Sequence, residues 1–560
     1  KAQREVVGVS RKHIVVQVGE KKLEVPEGTL VGEVAAMVPE LSAGTVVARV
    51  NNDIFGYQFP LTEDSQVEFL DTRTEDGMRA YRASLVFLFV RAALEVIPGC
   101  TVHIKHALNN GLYGEFDHSQ PVIEKDIRAI EERMRALVEE DIPFVRRIVP
   151  VEEAKKIYAE QGFEDKVRLL DQQNGDDVVL YSFGWFHDSL RSVLVPSSGY
   201  LGLFKLRYYL PGFILEYPRR HNPTVIPEYV EQGKLFNEFF KAERWQDNLG
   251  IPDVPSLNDC IRRGGFGDLV RVSEAYHENQ IRDIAQLIAR DRDRLRLILI
   301  AGPSSSGKTT FAKRLKVQLR VCGLEPVAIG LDDYFVDRHL TPLDEDGKPD
   351  FEALEAIDLE LFNEHLTKLI QGEEVEIPTF HFPTGTRQWN GTKLKVRPDQ
   401  PIIIEGIHGL NDELTKSIPK GRKFKIYVSA LTNLNLDNHT RISTTDVRLL
   451  RRMVRDNQFR GHDAKATIER WPSVTRGERR HIFPFQESAD VMFNSTLIYE
   501  LAVLKPLAKP LLEEITPADP QYGEARRLLR FLDYFLAVED WSDIPCNSIL
   551  QEFIGGSCFD

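Results

Sequence analysis

Residues 302–309 read Gly-Pro-Ser-Ser-Ser-Gly-Lys-Thr, the G-x-x-x-x-G-K-[ST] spacing of a phosphate-binding loop. Gly302 and Gly307 permit backbone angles that turn N–H groups toward one anion, with Pro303, Ser304, Ser305 and Ser306 between them. Lys308 places a positive charge near β- and γ-phosphates, and the Thr309 hydroxyl can ligate Mg²⁺. A helix starting here points its positive dipole end at the anion. The motif specifies a nucleoside triphosphate and leaves the acceptor open.

Carboxylates stand where a second substrate would meet that loop. Val327–Leu331 is a strand pattern ending in Asp332-Asp333-Tyr334-Phe335. Acids at the carboxyl end of a strand beside a phosphate-loop strand face the ligand crevice, where one of them can take a proton from a hydroxyl. Pro401–Glu405 carries a single acid at its end, suited to holding Mg²⁺ directly or through water. Residues 441–480 hold 11 Lys+Arg against 5 Asp+Glu in a chain of net charge −14. Arg448, Arg451, Arg452 and Arg455 recur at helical spacing, followed by Arg460-Gly461. Such a helix can close over a triphosphate, present a solvated basic face, or offer a surface to RNA.

These groups need a scaffold that aligns strand ends. From Leu295 onward the apolar runs Leu295–Ala301, Val327–Leu331, Pro401–Glu405, Phe424–Ser429 and Val491–Phe493 alternate with the helical stretches Lys308–Cys322 and Leu359–Gln371. Continuous apolar strands alternating with helices predict an α/β fold with a doubly wound parallel sheet. Before it, residues 221–290 read as a helical connector, with a helix from about Asp268 to Arg290 and a tight loop at Gly264–Gly267. Residues 73–220 mix helices (Arg79–Val96, Pro121–Glu139, Val151–Gln161) with strands (Val102–Lys105, Val178–Tyr181, Leu203–Tyr209). Residues 1–72 show a ββαββ order, which predicts a small β-grasp unit. Residues 514–560 are amphipathic around Ala525–Leu536 and suit either a cover for the sheet or a subunit contact.

The chain has 560 residues, 42% hydrophobic and 28% charged, enough for several packed cores. Its net acidity disfavours strong attraction of the whole surface to nucleic acid or anionic membrane. Five dispersed cysteines with no C-x-x-C pair point to a reducing, cytoplasmic setting rather than to disulfides or a zinc ribbon. The strongly apolar run Ser84–Val90 is stopped by Arg91, far short of the ~20 residues that span a bilayer. Lys-Ala-Gln-Arg-Glu at the N-terminus lacks the apolar core of a signal peptide.

The segments GPSSSGKTT, LDDYF, DFEALEAID, IPTFHF, IIIEGI and RRMVRDNQFRG occur in this order across residues 291–513. This region resembles the uridine–cytidine kinase branch of the phosphoribulokinase/uridine kinase family. The resemblance implies a P-loop NTPase fold, ATP and Mg²⁺, and transfer of the γ-phosphate to a nucleoside 5′-hydroxyl. It implies that residues 302–310, Thr310 included, cradle ATP, that Asp332 is the base, and that Thr309 and Glu405 serve the metal. It places a ribose-contacting acid at Glu352, where the family usually has Asp, and lid arginines at Arg452, Arg455 and Arg460. In the pyrimidine pocket the family's Tyr and His are replaced by Phe380 and Gly385, which removes a hydroxyl and a base-contacting donor. His381 and Trp389 are candidates for a rebuilt base platform.

Residues 1–72 resemble a TGS domain. Residues 73–220 resemble the editing-type domain of threonyl-tRNA synthetases through GMRAYRASLVFLFVRAALEVIPG, NNGLYGEF, EEDIPFVRRIVPVEEAKKIY and VPSSGYLGLFKL. The editing chemistry is missing. Ala83 and Phe87 stand at the positions of its H-x-x-x-H pair, and Leu190 and Leu194 at those of its C-x-x-x-H pair. None of these side chains holds a metal or moves a proton, and a metal at His103 and His106 is not expected.

The leading expectation is thus an ATP-dependent nucleoside kinase, no membrane association, and a homo-oligomer. Two alternatives stay open: a sugar-phosphate kinase of the phosphoribulokinase type, and an ATP-binding, RNA-associated regulatory protein without turnover. The N-terminal half is expected to bind RNA, a nucleotide or an amino acid, or to serve only as an oligomer interface.

Overall fold

The computed structural model describes residues 12–41, 44–173, 175–189, 192–343, 347, 349–381 and 384–559. Its C-terminal half is built on five parallel strands: β1 (Leu297–Ala301), β2 (Val327–Gly330), β3 (Ile402–Glu405), β4 (Lys423–Ser429) and β5 (Val491–Asn494). Their order is β2-β3-β1-β4-β5, so the chain crosses over beside β1, the strand that feeds the phosphate loop. A ligand crevice opens at the carboxyl ends of strands at such a crossover.

Every residue of β1 is buried, as a strand covered on both faces requires. Ile298 and Ile300 belong to one core, with helix α1 (Phe266–Arg290), helix α2 (Lys308–Val321) and helix α3 (Thr444–Arg460). Leu297 and Leu299 belong to the opposite core, with Phe362, Leu366 and Leu369 of the helix Leu359–Ile370. Each such buried aliphatic side chain contributes about 1.5–3 kcal/mol.

The C-terminal residues are part of the first core. In helix α4 (Tyr522–Leu532) Ala525, Leu528, Phe531 and Leu532 are buried, and beyond it so are Ile549, Leu550, Phe553 and Ile554. Within this chain the segment covers the kinase-like sheet.

The N-terminal unit is a five-stranded sheet in the order Lys21–Pro26, His13–Val18, Ser65–Asp71, Thr45–Val50, Asp53–Phe55, with the pair His13–Val18 and Ser65–Asp71 parallel. This is one short strand, Asp53–Phe55, more than the ββαββ reading. It follows a two-residue turn in which Asn51 and Asn52 both have positive φ. The next block packs the 22-residue helix Glu75–Val96 against a four-stranded antiparallel sheet and a three-stranded sheet. Strands Gly111–Asp117, Val145–Pro150 and Gly212–Glu216 were not legible in the sequence. They carry glycine or charge where an alternating pattern would show, and ladder pairing holds them. The connector contains three helices, Gly233–Asn248, Val254–Arg262 and α1, and Gly264 (φ +76°) makes the turn between the last two.

The two halves are joined through residues 430–441, which follow β4. Asn438 accepts a bond from the Ile104 N–H (2.8 Å) through its carbonyl, and its own N–H donates to Asp165 (2.7 Å). Beneath this contact Lys166 pairs with both Asp188 (2.7 Å) and Asp437 (3.0 Å), and His439 Nδ1 lies 2.7 Å from Asp188. All four side chains are buried. No helix among the described residues is long and apolar enough to cross a membrane.

Candidate active site

The phosphate loop is shaped by close approaches that only its own residues allow. A Cβ on Gly302 would lie 1.9 Å from the Val428 carbonyl oxygen of β4. Gly307 has φ +83°, and Ser305 sits at φ +58° despite having a side chain. Gly307 starts α2 with no side-chain cap of its own, and of the first-turn N–H groups that can serve an anion, that of Thr310 is taken by Glu552. The Ser305 and Ser306 hydroxyls are buried without a partner. Together these features suit a bound polyphosphate.

Thr309 donates through Oγ1 to Glu405 Oε2 (3.3 Å) at the end of β3. The two residues proposed for the metal therefore meet directly, a hydroxyl beside a carboxylate at the loop's edge. Burial raises the Glu405 carboxyl, as do Asp332 and Glu552, while Lys308 and the Thr309 bond lower it. Burial also raises Asp332, with Lys308 and Arg460 opposing and Asp333 reinforcing. Glu352 is pushed up to about 7 by burial and by Glu478, against Arg452 and Lys308. One ammonium, Lys308, thus acts on all three carboxylates. Its Nζ donates to the Pro303 carbonyl (3.1 Å), so the charge lies folded over the loop.

The basic helix α3 divides its arginines between two tasks. Arg448 and Arg451 are buried rather than poised over a triphosphate, which corrects the reading of the whole row as a lid. Arg448 donates to Glu478 through both terminal nitrogens (2.5 and 2.9 Å) and to the Ser304 carbonyl (3.1 Å). Arg451 bonds Glu500 (2.6 Å), the Ser495 carbonyl (2.9 Å) and the Ser305 carbonyl (3.4 Å). They are struts that fix the loop from behind. Arg452 reaches the loop from the site side, donating to Ser304 Oγ (2.9 Å). Buried Asp456 gathers Arg452 (3.2 Å), Arg455 (2.8 Å) and Arg460 (3.6 Å), which holds three positive charges beside one another despite their repulsion.

At the acceptor end Phe380 is buried, its ring edge-on to Phe335 at 5.6 Å. Gly385 has φ +68°, and a Cβ there would lie 2.7 Å from Arg338 Nε. The Arg338 guanidinium therefore packs at the place where the family's donor was expected to be lost. Trp389 is half exposed, its ring 6.2 Å from His365, and His381 Nδ1 lies 2.8 Å from Thr384 Oγ1 on an exposed strand.

Two acids that sequence reasoning missed touch the loop. Glu478 Oε1 accepts the Ser304 N–H (2.8 Å). Glu552 Oε2 accepts both the N–H (3.2 Å) and the Oγ1–H (2.9 Å) of Thr310 in the first turn of α2. Beside it, Ile549 Cγ2 lies 2.5 Å from where a Cβ on Gly307 would be. No local signal marks either acid, since they are 174 and 242 residues from their partners.

In the editing-like block, Phe87 is fully buried against Phe144, Phe183 and Phe186. Leu194 is buried and Ala83 half-buried, and Leu190 lies outside the described residues. His106 stacks on Phe239 (4.0 Å) as part of an aromatic core.

Comparison with known proteins agrees with this division. Curated relatives matching the N-terminal region include the threonine–tRNA ligases of Rubrobacter xylanophilus (32% identity over 188 residues, 33% of this chain and 29% of that protein) and Marinobacter nauticus (34% over 182 residues, 32% and 28%). The chain spans less than a third of the length of these relatives. A solved structure described as a possible uridine kinase from Bacillus stearothermophilus aligns over 38% of this chain and all of its own, at 19% identity and a TM-score of 0.26. The family model for the phosphoribulokinase/uridine kinase family matches residues 297–500. With its phosphate loop, parallel sheet and strand-end acids, that region is a P-loop kinase domain matching the phosphoribulokinase/uridine kinase family model, and the N-terminal part is similar to threonine–tRNA ligases.

Proposed function

We propose that the kinase domain transfers the γ-phosphoryl group of ATP to the 5′-hydroxyl of a nucleoside. The observation that carries this reading is the Thr309–Glu405 hydrogen bond (3.3 Å), which sets a carboxylate at the edge of the phosphate loop, with the Lys308 ammonium acting on Asp332, Glu352 and Glu405 together. Asp332 accepts the hydroxyl proton. Its raised affinity for a proton suits a base that must hold one during transfer. Glu352 accepts hydrogen bonds from the acceptor's vicinal hydroxyls. Thr309 and Glu405 would hold Mg²⁺, which supplies charge neutralisation on the phosphates. Lys308, Arg452, Arg455 and Arg460 oppose the negative charge that spreads over the transferring group and exclude water. Phe380 offers a ring face to a base, and Arg338 offers donors at its edge.

A sugar phosphate is the second reading, favoured by the same Arg338, whose guanidinium suits a phosphate as well as a base edge. The deciding experiment is an acceptor screen with ATP and Mg²⁺ across ribonucleosides, deoxynucleosides and pentose phosphates. Turnover on a nucleoside supports the first reading. Turnover confined to pentose phosphates, or none at all, overturns it. For the N-terminal half, buried Phe87 and Leu194 at the editing positions support a binding module rather than a hydrolase.

A further inference from the structure

Between the editing-like block and the kinase domain lies a cavity of about 2280 Å³. Its walls draw arginines from four separate stretches of chain: Arg82, the pair Arg219 and Arg220, Arg441, and Arg479. Acids line the cavity as well, among them Glu75, Asp76, Asp446 and Glu524. Glu75 sits 3.8 Å from Arg82 and 3.7 Å from Arg220. Asp446 is already held through two nitrogens of Arg527 (2.7 and 2.8 Å). Arg79 is likewise taken, by Asp76 (3.1 Å) and Glu524 (3.3 Å). Among the described residues no carboxylate forms an ion pair with Arg219, Arg441 or Arg479.

The arginines feel one another. Burial lowers Arg219, with Arg479 adding to it, and Arg441 is lowered by burial and by Arg82. Partial desolvation lowers Arg479 as well, helped by Arg220 and Arg82 and opposed by Glu75 and Glu478. His221 is lowered by burial and by Arg219, Arg479 and Arg220. Folding has gathered these arginines along one concavity and left Arg219, Arg441 and Arg479 without a carboxylate ion pair among the described residues, an arrangement that a multiply charged anion relieves.

We propose that this chamber is a second anion site, distinct from the phosphate loop, that binds the polyphosphate of a free small ligand such as a nucleoside di- or triphosphate. Guanidinium groups pair with phosphate oxygens through two parallel N–H bonds, which is why arginine rather than lysine suits such a site. The chamber and the phosphate loop share a thin wall. Pro303 lines the cavity, and Glu478, next to Arg479, holds the Ser304 N–H and Arg448. The proposal does not depend on which acceptor the kinase domain uses.

The test separates the two anion sites by first disabling the loop. The full-length Lys308→Ala protein is titrated calorimetrically with inorganic tripolyphosphate, then with a single-stranded ribo-oligonucleotide. One equivalent of tripolyphosphate should still bind, with affinity that falls as salt rises. Adding Arg479→Ala, whose side chain is exposed, should weaken binding about tenfold or more, and Arg441→Ala should do the same at an unchanged melting temperature. No residual binding in Lys308→Ala overturns the proposal. So does residual binding that ignores both arginine substitutions, and so does arginine-dependent binding of the oligonucleotide alone.

Discussion

Glu552→Gln should tighten ATP binding. In the ligand-free chain the Glu552 carboxylate occupies the Thr310 N–H and hydroxyl at the start of α2, donors that a nucleotide phosphate at this helix end would claim. A hydrogen bond to a charged acceptor contributes about 1.5–3 kcal/mol. A carboxylate left about 5 Å from a phosphate charge repels it by ~3 kcal/mol at an effective dielectric of about 20. Glu552 is half-buried, so solvent screening and rotation of the side chain relieve much of this. Glutamine keeps the shape and an acceptor oxygen but removes the charge. The remaining gain is about 1–2 kcal/mol, or ~5–30-fold in Kd at 1.4 kcal/mol per tenfold. The assay is calorimetric titration of the intact chain with ATP and Mg²⁺, paired with thermal denaturation. Because Ile549, Leu550 and Phe553 anchor the segment, the melting temperature should hardly change. Unchanged or weaker ATP affinity at constant melting temperature would refute the reasoning and make Glu552 part of the cradle rather than its competitor.

Asp332→Asn should lower turnover by about 10²–10⁴-fold while leaving ATP affinity nearly intact; full activity in a steady-state assay would exclude it as the base. Glu352, raised to about 7, is protonated below neutrality and ionised above it. Acceptor kcat/KM should therefore climb through about pH 7, and Glu352→Gln should flatten that limb; an unaltered profile removes the assigned role. Lys166→Met leaves Asp437 buried without its ion pair and Asp188 with His439 alone, which should cost about 3–5 kcal/mol, visible as an earlier unfolding transition by calorimetry. Asp188 is held down at about 2 by Lys166 and His439 against its burial. Its contribution is complete above the unfolded value of about 3.9 and is lost as pH falls toward 2. An acid-melting curve identical in wild type and Asp188→Asn would contradict this.

The kinase half was legible because its signals are local. The strands announce themselves as apolar runs, most strongly the central three, Leu297–Ala301, Ile402–Glu405 and Lys423–Ser429, which are largely buried because both faces of a parallel sheet are covered. The loop announces itself because glycine, lysine and threonine must stand at fixed offsets for backbone N–H groups to converge. Antiparallel strands such as Gly111–Asp117 stayed hidden, because pairing across the sheet holds them there rather than any repeat of their own. The row of arginines in α3 shows the limit most clearly. Spacing placed Arg448, Arg451, Arg452 and Arg455 on a helix, yet only packing decided that the first two are internal struts and that Asp456 gathers the others. The loss inferred at Gly385 was likewise incomplete, because Arg338, 47 positions earlier, fills that space.

What the sequence by itself determined is the chemistry available: an anion cradle, a metal-suited pair, strand-end acids, and an editing-like domain without editing residues. What only the tertiary structure decided is who answers those groups. Glu478 and Glu552 hold donors of the cradle, and arginines from four separate segments share one chamber. A motif is written by neighbours along the chain, whereas a counter-charge acts through space over a few ångströms regardless of sequence separation.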